Sequence, residues 1–323
     1  MGVHTQESLR RSDPLRCNIE LARTRTYYPV GFRLDLATNS DEVLAALAEA
    51  WEPGREEFAS EPMTFHVLVQ PEGALSPQPT HRMRGHLFSV VADADNFAHL
   101  DLKSQTGFFH VSEQTAADHT WLRWYFVESM AYLMLAQRYL VPLHAACIAR
   151  HGVGLLLSGR PGAGKSTLSY AGARAGWTFI GDDCTWILPE SRDRIAIGRP
   201  RQARFRLDAP RLFPELEGYA ICARPTGKLS IEVPLADLPH IRTAPRVPVG
   251  GIAFLERGPA CAGLERLSSA ETVERLLTDM PSYGQAVDAL HEHAVRRLAE
   301  APAWRLRYQA LDEALAILES LAL

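Results

Sequence analysis

Residues 159–166 read Gly159-Arg160-Pro161-Gly162-Ala163-Gly164-Lys165-Ser166, with Thr167 next, and this stretch decides the fold. It satisfies G-x-x-x-x-G-K-[ST] at every fixed position. The apolar run Val153 to Leu157 before it predicts a buried strand, and the alanine-rich Thr167 to Ala175 after it predicts a helix. A glycine loop between strand and helix turns backbone N–H groups toward one point, where the helix N-terminus adds partial positive charge. In such a loop Lys165 reaches the β- and γ-phosphates and the Ser166 hydroxyl ligates Mg²⁺. The flanking strand and helix, more than the motif, separate a nucleoside triphosphate site from a chance glycine-rich turn.

Bulk composition limits the rest. The chain has 323 residues, enough for one large or two ordinary domains, with 46% apolar and 22% charged residues. A formal net charge of −4 gives no sign of a nucleic-acid partner. Cys17, Cys147, Cys184, Cys222 and Cys261 are scattered and never in C-x-x-C spacing, which points to reduced thiols and a cytoplasmic protein. No apolar signal core opens the chain, and the most apolar stretch, Trp121 to Leu140, carries Arg123, Glu128 and Arg138. Charges at that frequency are costly in a bilayer, so a buried helix and no membrane are expected.

Working outward from the loop, three divisions are expected: a poorly ordered stretch over 1–25, an α+β domain over 26–115 and a catalytic domain over 116–323. In the first half, Tyr27 to Leu36 predicts a strand, and Asn39 with Glu42 predicts a capping box opening a helix through Trp51. Later strand-like runs suggest an antiparallel sheet. One long helix is predicted from Ala117 to Tyr139. Leu143 to Ile148 predicts a strand in a hairpin with the strand before the glycine loop. Short strands after Asp183, two helices near 270–299 and a final strand and helix predict an α/β fold with a mixed sheet.

A glycine loop of this kind serves many enzymes. The chain has neither an N/T-K-x-D guanine motif nor an L-S-G-G-Q signature. Asp182-Asp183 ends the predicted strand after the loop's helix, on the side of an α/β sheet that faces the loop. One carboxylate there can hold Mg²⁺ and the other can orient or deprotonate an attacking hydroxyl. The bland alternative for such a pair is a turn or a helix cap. His144, in Leu143-His144-Ala145-Ala146, is either a third active-site group or a hydrogen-bonded core histidine. In Gly198 to Arg206, an extended chain puts Arg204 and Arg206 on one face, suited to phosphate or to plain surface charge. Lys228, in Arg224-Pro225-Thr226-Gly227-Lys228, is either a phosphate contact or a solvated turn lysine. His291 and His293, two apart on a predicted helix, diverge and do not suit zinc.

The run Leu143 to Ala146, Gly152 to Leu157, Gly159 to Thr167, Ala175-Gly176-Trp177 and Asp182-Asp183 resembles the catalytic core of the HPr kinase/phosphorylase family. It is most similar there to HPr kinase-related kinases found beside peptide-modification genes. The resemblance implies ATP- and Mg²⁺-dependent phosphorylation of a serine hydroxyl on a small protein or peptide. It implies Asp182 and Asp183 as base and metal-side carboxylates, with His144 near the γ-phosphate. The first half does not resemble the N-terminal domain of the bifunctional enzymes, and the glycine-rich loop tied to phosphorylase activity is not found. Phosphorylase activity and a hexamer are therefore not carried over, and a homo-oligomer stays open. Two other readings remain: a small-molecule kinase, which the long segment before the loop argues against, and an ATP-binding module without transfer.

Overall fold

The computed structural model describes residues 19–258 and 261–321, so the N-terminal stretch expected to be poorly ordered lies outside the described residues as far as 18. The chain divides into two compact units between Met130 and Ala131.

The first unit is built on a seven-stranded sheet, in the order Arg23–Tyr27, Leu34–Thr38, Met63–Gln70, Thr106–Ser112, Phe97–Asp101, Leu87–Val91 and Thr80–Arg84. Alternation with period two sends Met63, Phe65, Val67 and Val69 into the core and leaves Thr64, His66 and Leu68 on the other face. Helix Asp41–Trp51 buries Val43, Leu47 and Trp51, and the Trp51 ring lies 5.9 Å from that of Tyr27.

Several expectations are corrected here. The sheet is mixed: Met63–Gln70 runs parallel to both Leu34–Thr38 and Thr106–Ser112. Helix Asp41–Trp51 supplies the crossover that the first parallel pair requires. The single strand over Tyr27 to Leu36 is two, broken at the turn Pro29–Gly31. Asn39 does not cap the helix. Its side-chain amide bonds both the N–H and the carbonyl of Val69 at 2.8 Å, and Ser40 takes the cap position. Arg23 to Arg25 are strand residues, fixed by ion pairs of Arg23 with Asp41 and Arg25 with Glu52, each at 2.5 Å.

The long helix expected from Ala117 to Tyr139 is interrupted. The Asp118 carboxylate accepts the Trp121 N–H at 2.9 Å and starts a new helix, His119–Leu122. A π-helical turn, Arg123–Val127, leads into Glu128–Ala136. Among the described residues no helix is long and apolar enough to cross a membrane.

The second unit holds a mixed nine-stranded sheet. Val153–Ser158, Arg246–Arg257 and Ala303–Tyr308 are parallel neighbours. Ala145–Arg150 runs antiparallel to Val153–Ser158, as the expected hairpin, and Thr178–Gly181 runs antiparallel to Ala145–Arg150. One face packs Cys147, Leu156, Ile252 and Phe254 against Leu276 and Val295 of helices Ser269–Thr278 and Gln285–Leu298. The other packs Ile148, Leu155, Leu157 and Ala253 against Leu168 of helix Lys165–Arg174 and Leu318 of helix Leu311–Glu319. Burial on both faces is why Val153 to Leu157 reads as an unbroken apolar run.

A separate three-stranded sheet, Gln202–Phe205, Leu229–Pro234 and Ile221–Ala223, packs Phe205, Ile231 and Val233 with Tyr170 and Phe213. Its first strand ends at Phe205, so Arg204 lies within the strand and Arg206 just beyond it.

Candidate active site at the glycine loop

Strand directions bring the chemistry to one edge of the second unit's sheet. Ser158, at the end of its strand, pairs in register with Phe254 and with Ala145. Arg257 and Tyr308, the last residues of the next two parallel strands, are partners in register. Thr178–Gly181 has the same direction as Val153–Ser158, being antiparallel to the strand between them. Its end therefore delivers Asp182 and Asp183 to the loop's edge. His144, just before Ala145, arrives at the same edge because its strand starts there.

The loop closes in the left-handed region at Gly162 (φ +90°) and Gly164 (φ +99°), where side chains bring strain. A Cβ on Gly162 would stand 3.2 Å from the Arg206 guanidinium, and one on Gly164 would collide with the Tyr308 hydroxyl. That hydroxyl donates to the Ala163 carbonyl at 2.5 Å. Helix Lys165–Arg174 begins at Gly164 with no side-chain cap, so its first N–H groups are left for a ligand.

Lys165 is 7% exposed, and its ammonium donates to the Gly159 carbonyl at 2.6 Å. Burial lowers its pKa, against the opposing pull of Asp183 and Asp279. An uncapped helix start beside a desolvated ammonium fits a phosphate chain.

The Ser166 hydroxyl donates to the Asp182 carbonyl at 3.3 Å. The Asp182 carboxylate accepts the Arg204 N–H at 2.8 Å. Burial pushes that carboxyl up to about 6, the Arg204 N–H pulls it down, and Asp183 adds to the rise. Asp183 is more open, its side chain 48% exposed, with Oδ1 at 3.5 Å from His144 Nδ1. The same ring nitrogen lies 3.1 Å from the Asp183 carbonyl. His144 is thus an exposed partner of the aspartate pair, not a core histidine.

These groups line one cleft of about 210 Å³ with Arg204, Arg206 and Lys228. Arg204 meets the pair through its backbone, while its guanidinium donates to Glu232 at 3.0 Å. Arg206 reaches over the loop at Gly162. Lys228 ends a turn in which the Arg224 N–H donates to the Lys228 carbonyl at 2.9 Å. Arg224, which the sequence places in the same segment as Lys228 without a role, lines this cleft too; sequence reasoning missed Arg257 and the support from Tyr308. The signal for the last two was the parallel direction of their strands, which no local pattern states. Six cations against Asp182, Asp183 and Asp208 make the cleft suited to a polyanion.

His291 is buried and bonds the Ala136 carbonyl at 2.8 Å. Among the described residues no group of three His, Cys, Asp or Glu could hold a metal ion. A Mg²⁺ at Ser166 and the aspartates would take its remaining ligands from phosphate and water. Cys147, Cys184, Cys222 and Cys261 are free thiols.

The second unit is thus a mixed α/β layer with a strand–glycine loop–helix element at its centre. The family model of the SynChlorMet cassette protein ScmC matches residues 109–199, which include His144, the loop and the aspartate pair. Among solved structures, the chain is similar to the HPr(Ser) kinase/phosphatase from Coxiella burnetii. The identity is 16%, the match covers 55% of this chain and 95% of that one, and the TM-score is 0.28. The resemblance noted over Leu143 to Asp183 is to the same kinase family. No curated protein matches the chain.

Proposed function

We propose that this protein is a kinase that transfers the γ-phosphate of ATP to a serine hydroxyl of a small protein or peptide. The observation that carries the reading is the meeting of the uncapped loop, Lys165, Ser166 and two strand-end carboxylates in one cationic cleft. Phosphoryl transfer needs little beyond positioning and charge neutralisation, and this cleft supplies both. The serine acceptor rests on the family resemblance.

The loop N–H groups and Lys165 hold the phosphates. Mg²⁺, held by Ser166 and Asp182, would neutralise charge on them. Asp183, the more open carboxylate, accepts the proton of the attacking hydroxyl, and His144 holds it in place. Arg206, lying over Gly162, offsets charge on the transferred group.

The test is incubation with ATP labelled at the γ-phosphate. Acceptors are serine-bearing peptides encoded beside this chain's own gene, and small hydroxyl metabolites. Label on a peptide serine is expected. Label on a metabolite alone would replace the acceptor class, and nucleotide binding with no transfer to any acceptor would overturn the kinase reading.

A further inference from the structure

The three-stranded sheet leaves one edge free beside the catalytic cleft. Its strand order puts Ile221–Ala223 on the outside. Two bonds fix the phase of the pairing with Leu229–Pro234. The Arg224 N–H donates to the Lys228 carbonyl at 2.9 Å, and the Glu232 N–H donates to the Ala220 carbonyl at 3.5 Å. Antiparallel ladders alternate, so Cys222 turns its backbone toward its register partner Ser230, while Ile221 and Ala223 turn theirs outward. Among the described residues these outward N–H and C=O groups have no partner. We propose that the acceptor peptide pairs with this edge as an added strand, with apolar side chains against Ile221 and Leu229 and a carboxylate at Arg224. The proposal rests on the kinase reading and gives that site its means of holding an acceptor.

Position favours a chain that enters the cleft. Ile221–Ala223 runs straight into Arg224, and Arg224, Lys228 and Leu229 line the cleft that holds Asp183. A strand added at this edge is therefore aimed at the site of transfer, with its serine past the Arg224 end. Backbone pairing at a sheet edge, with alternate side chains giving selectivity, is a general way to hold an extended peptide. Native sheets blunt an unused edge with charge or proline, and Ile221–Ala223 carries neither.

The side chains define the peptide's chemistry. Ile221 and Ala223 share one face with their register partners Ile231 and Leu229. Ile231 is buried against Phe205, Tyr170 and Phe213, but Ile221 and Leu229 stand 59% and 49% exposed. Every second side chain of an added strand falls on this face, so two apolar residues two apart would take that surface out of water. Charge supplies the other requirement. The Arg224 Nε is shielded from water and has no hydrogen-bond partner among the described residues. A buried donor left unmade costs free energy, and a carboxylate beside the serine would satisfy it.

The test uses the full-length protein and the serine peptide that accepts label from ATP. Residues near the serine are N-methylated one at a time, each change removing one backbone donor. KM is expected to rise about tenfold at two positions two residues apart and to stay within about twofold at the residue between them. In the protein, Ala223→Pro removes an outward donor without taking a bond from the ladder, and Ile221→Ser removes the apolar contact. Each is expected to raise KM for the peptide about fivefold or more and to leave the Kd for Mg-ATP within about twofold. Exchanging the peptide's acidic residue for its amide should raise KM with wild type and not with Arg224→Gln. N-methyl effects without alternation, an unchanged KM in Ile221→Ser, or an amide exchange that acts equally on wild type and Arg224→Gln would overturn the proposal and leave the kinase reading standing. Should Ala223→Pro fail to fold, the N-methyl series decides. If wild type labels no peptide, the kinase reading falls and takes this proposal with it.

Discussion

The seven-stranded and the nine-stranded sheet of this protein differ in how many faces they bury. In the first unit, Phe109 is 2% exposed while its neighbour Phe108 is 56% exposed, stacked on His66 with ring centroids 5.0 Å apart. In the second unit, Leu155, Leu156 and Leu157 are all inaccessible, because helices cover both faces. A sheet covered on both sides leaves its strand ends as the place where polar groups can gather. That is where the glycine loop, Asp182, Asp183 and His144 meet. The gathering of these groups follows from strand direction and coverage, not from the number of polar residues a sheet carries.

Lys165→Ala has the largest expected effect. Removing the buried ammonium should abolish phosphate transfer, at least about 10³-fold by analogy with charge-stabilising groups elsewhere. Its melting temperature should not fall, since a desolvated charge is removed with it. Next is Phe109→Ala, which empties a filled core position and should cost about 3–5 kcal/mol in urea unfolding.

Asp182→Asn comes third. The folded-state value of about 6 lies above that of an unfolded aspartate, so folding favours the protonated form. That contribution is present at low pH and is lost as pH rises through about 6. The neutral amide should therefore stabilise the protein by about 1–2 kcal/mol at pH 8 and by little at pH 4. Phosphate transfer by the wild type should in turn rise with pH through about 6 as Asp182 ionises, a limb that added Mg²⁺ shifts downward. The smallest effect is that of Phe108→Ala, within about 1 kcal/mol, because most of that ring is already in water.

The second unit was more legible in the sequence than the first. Val153 to Arg174 announces its own strand, loop and helix, because an apolar run, required glycines and an alanine-rich segment are all local signals. The aspartate pair was legible through one general rule about strand ends. What was hidden depends on partners distant in the chain. Asn39 looked like a helix cap, but its amide is satisfied by Val69. Tyr28 to Arg33 looked continuous with its neighbours, but the turn Pro29–Gly31 breaks it. Arg257 and Tyr308 carry no motif, and only the parallel pairing of their strands brings them to the loop. Arg204 stays open in the sequence between a phosphate contact and plain surface charge; its backbone N–H bonds Asp182 and its guanidinium bonds Glu232, links that no local pattern states.

The most direct measurement is a paired one on Asp183→Asn: turnover with labelled ATP and a serine-bearing peptide, and the Kd for Mg-ATP. The account predicts a fall in kcat of about 10²-fold or more with the Kd within about threefold, the mark of a group that acts on the attacking hydroxyl. Wild-type turnover in that variant would contradict it.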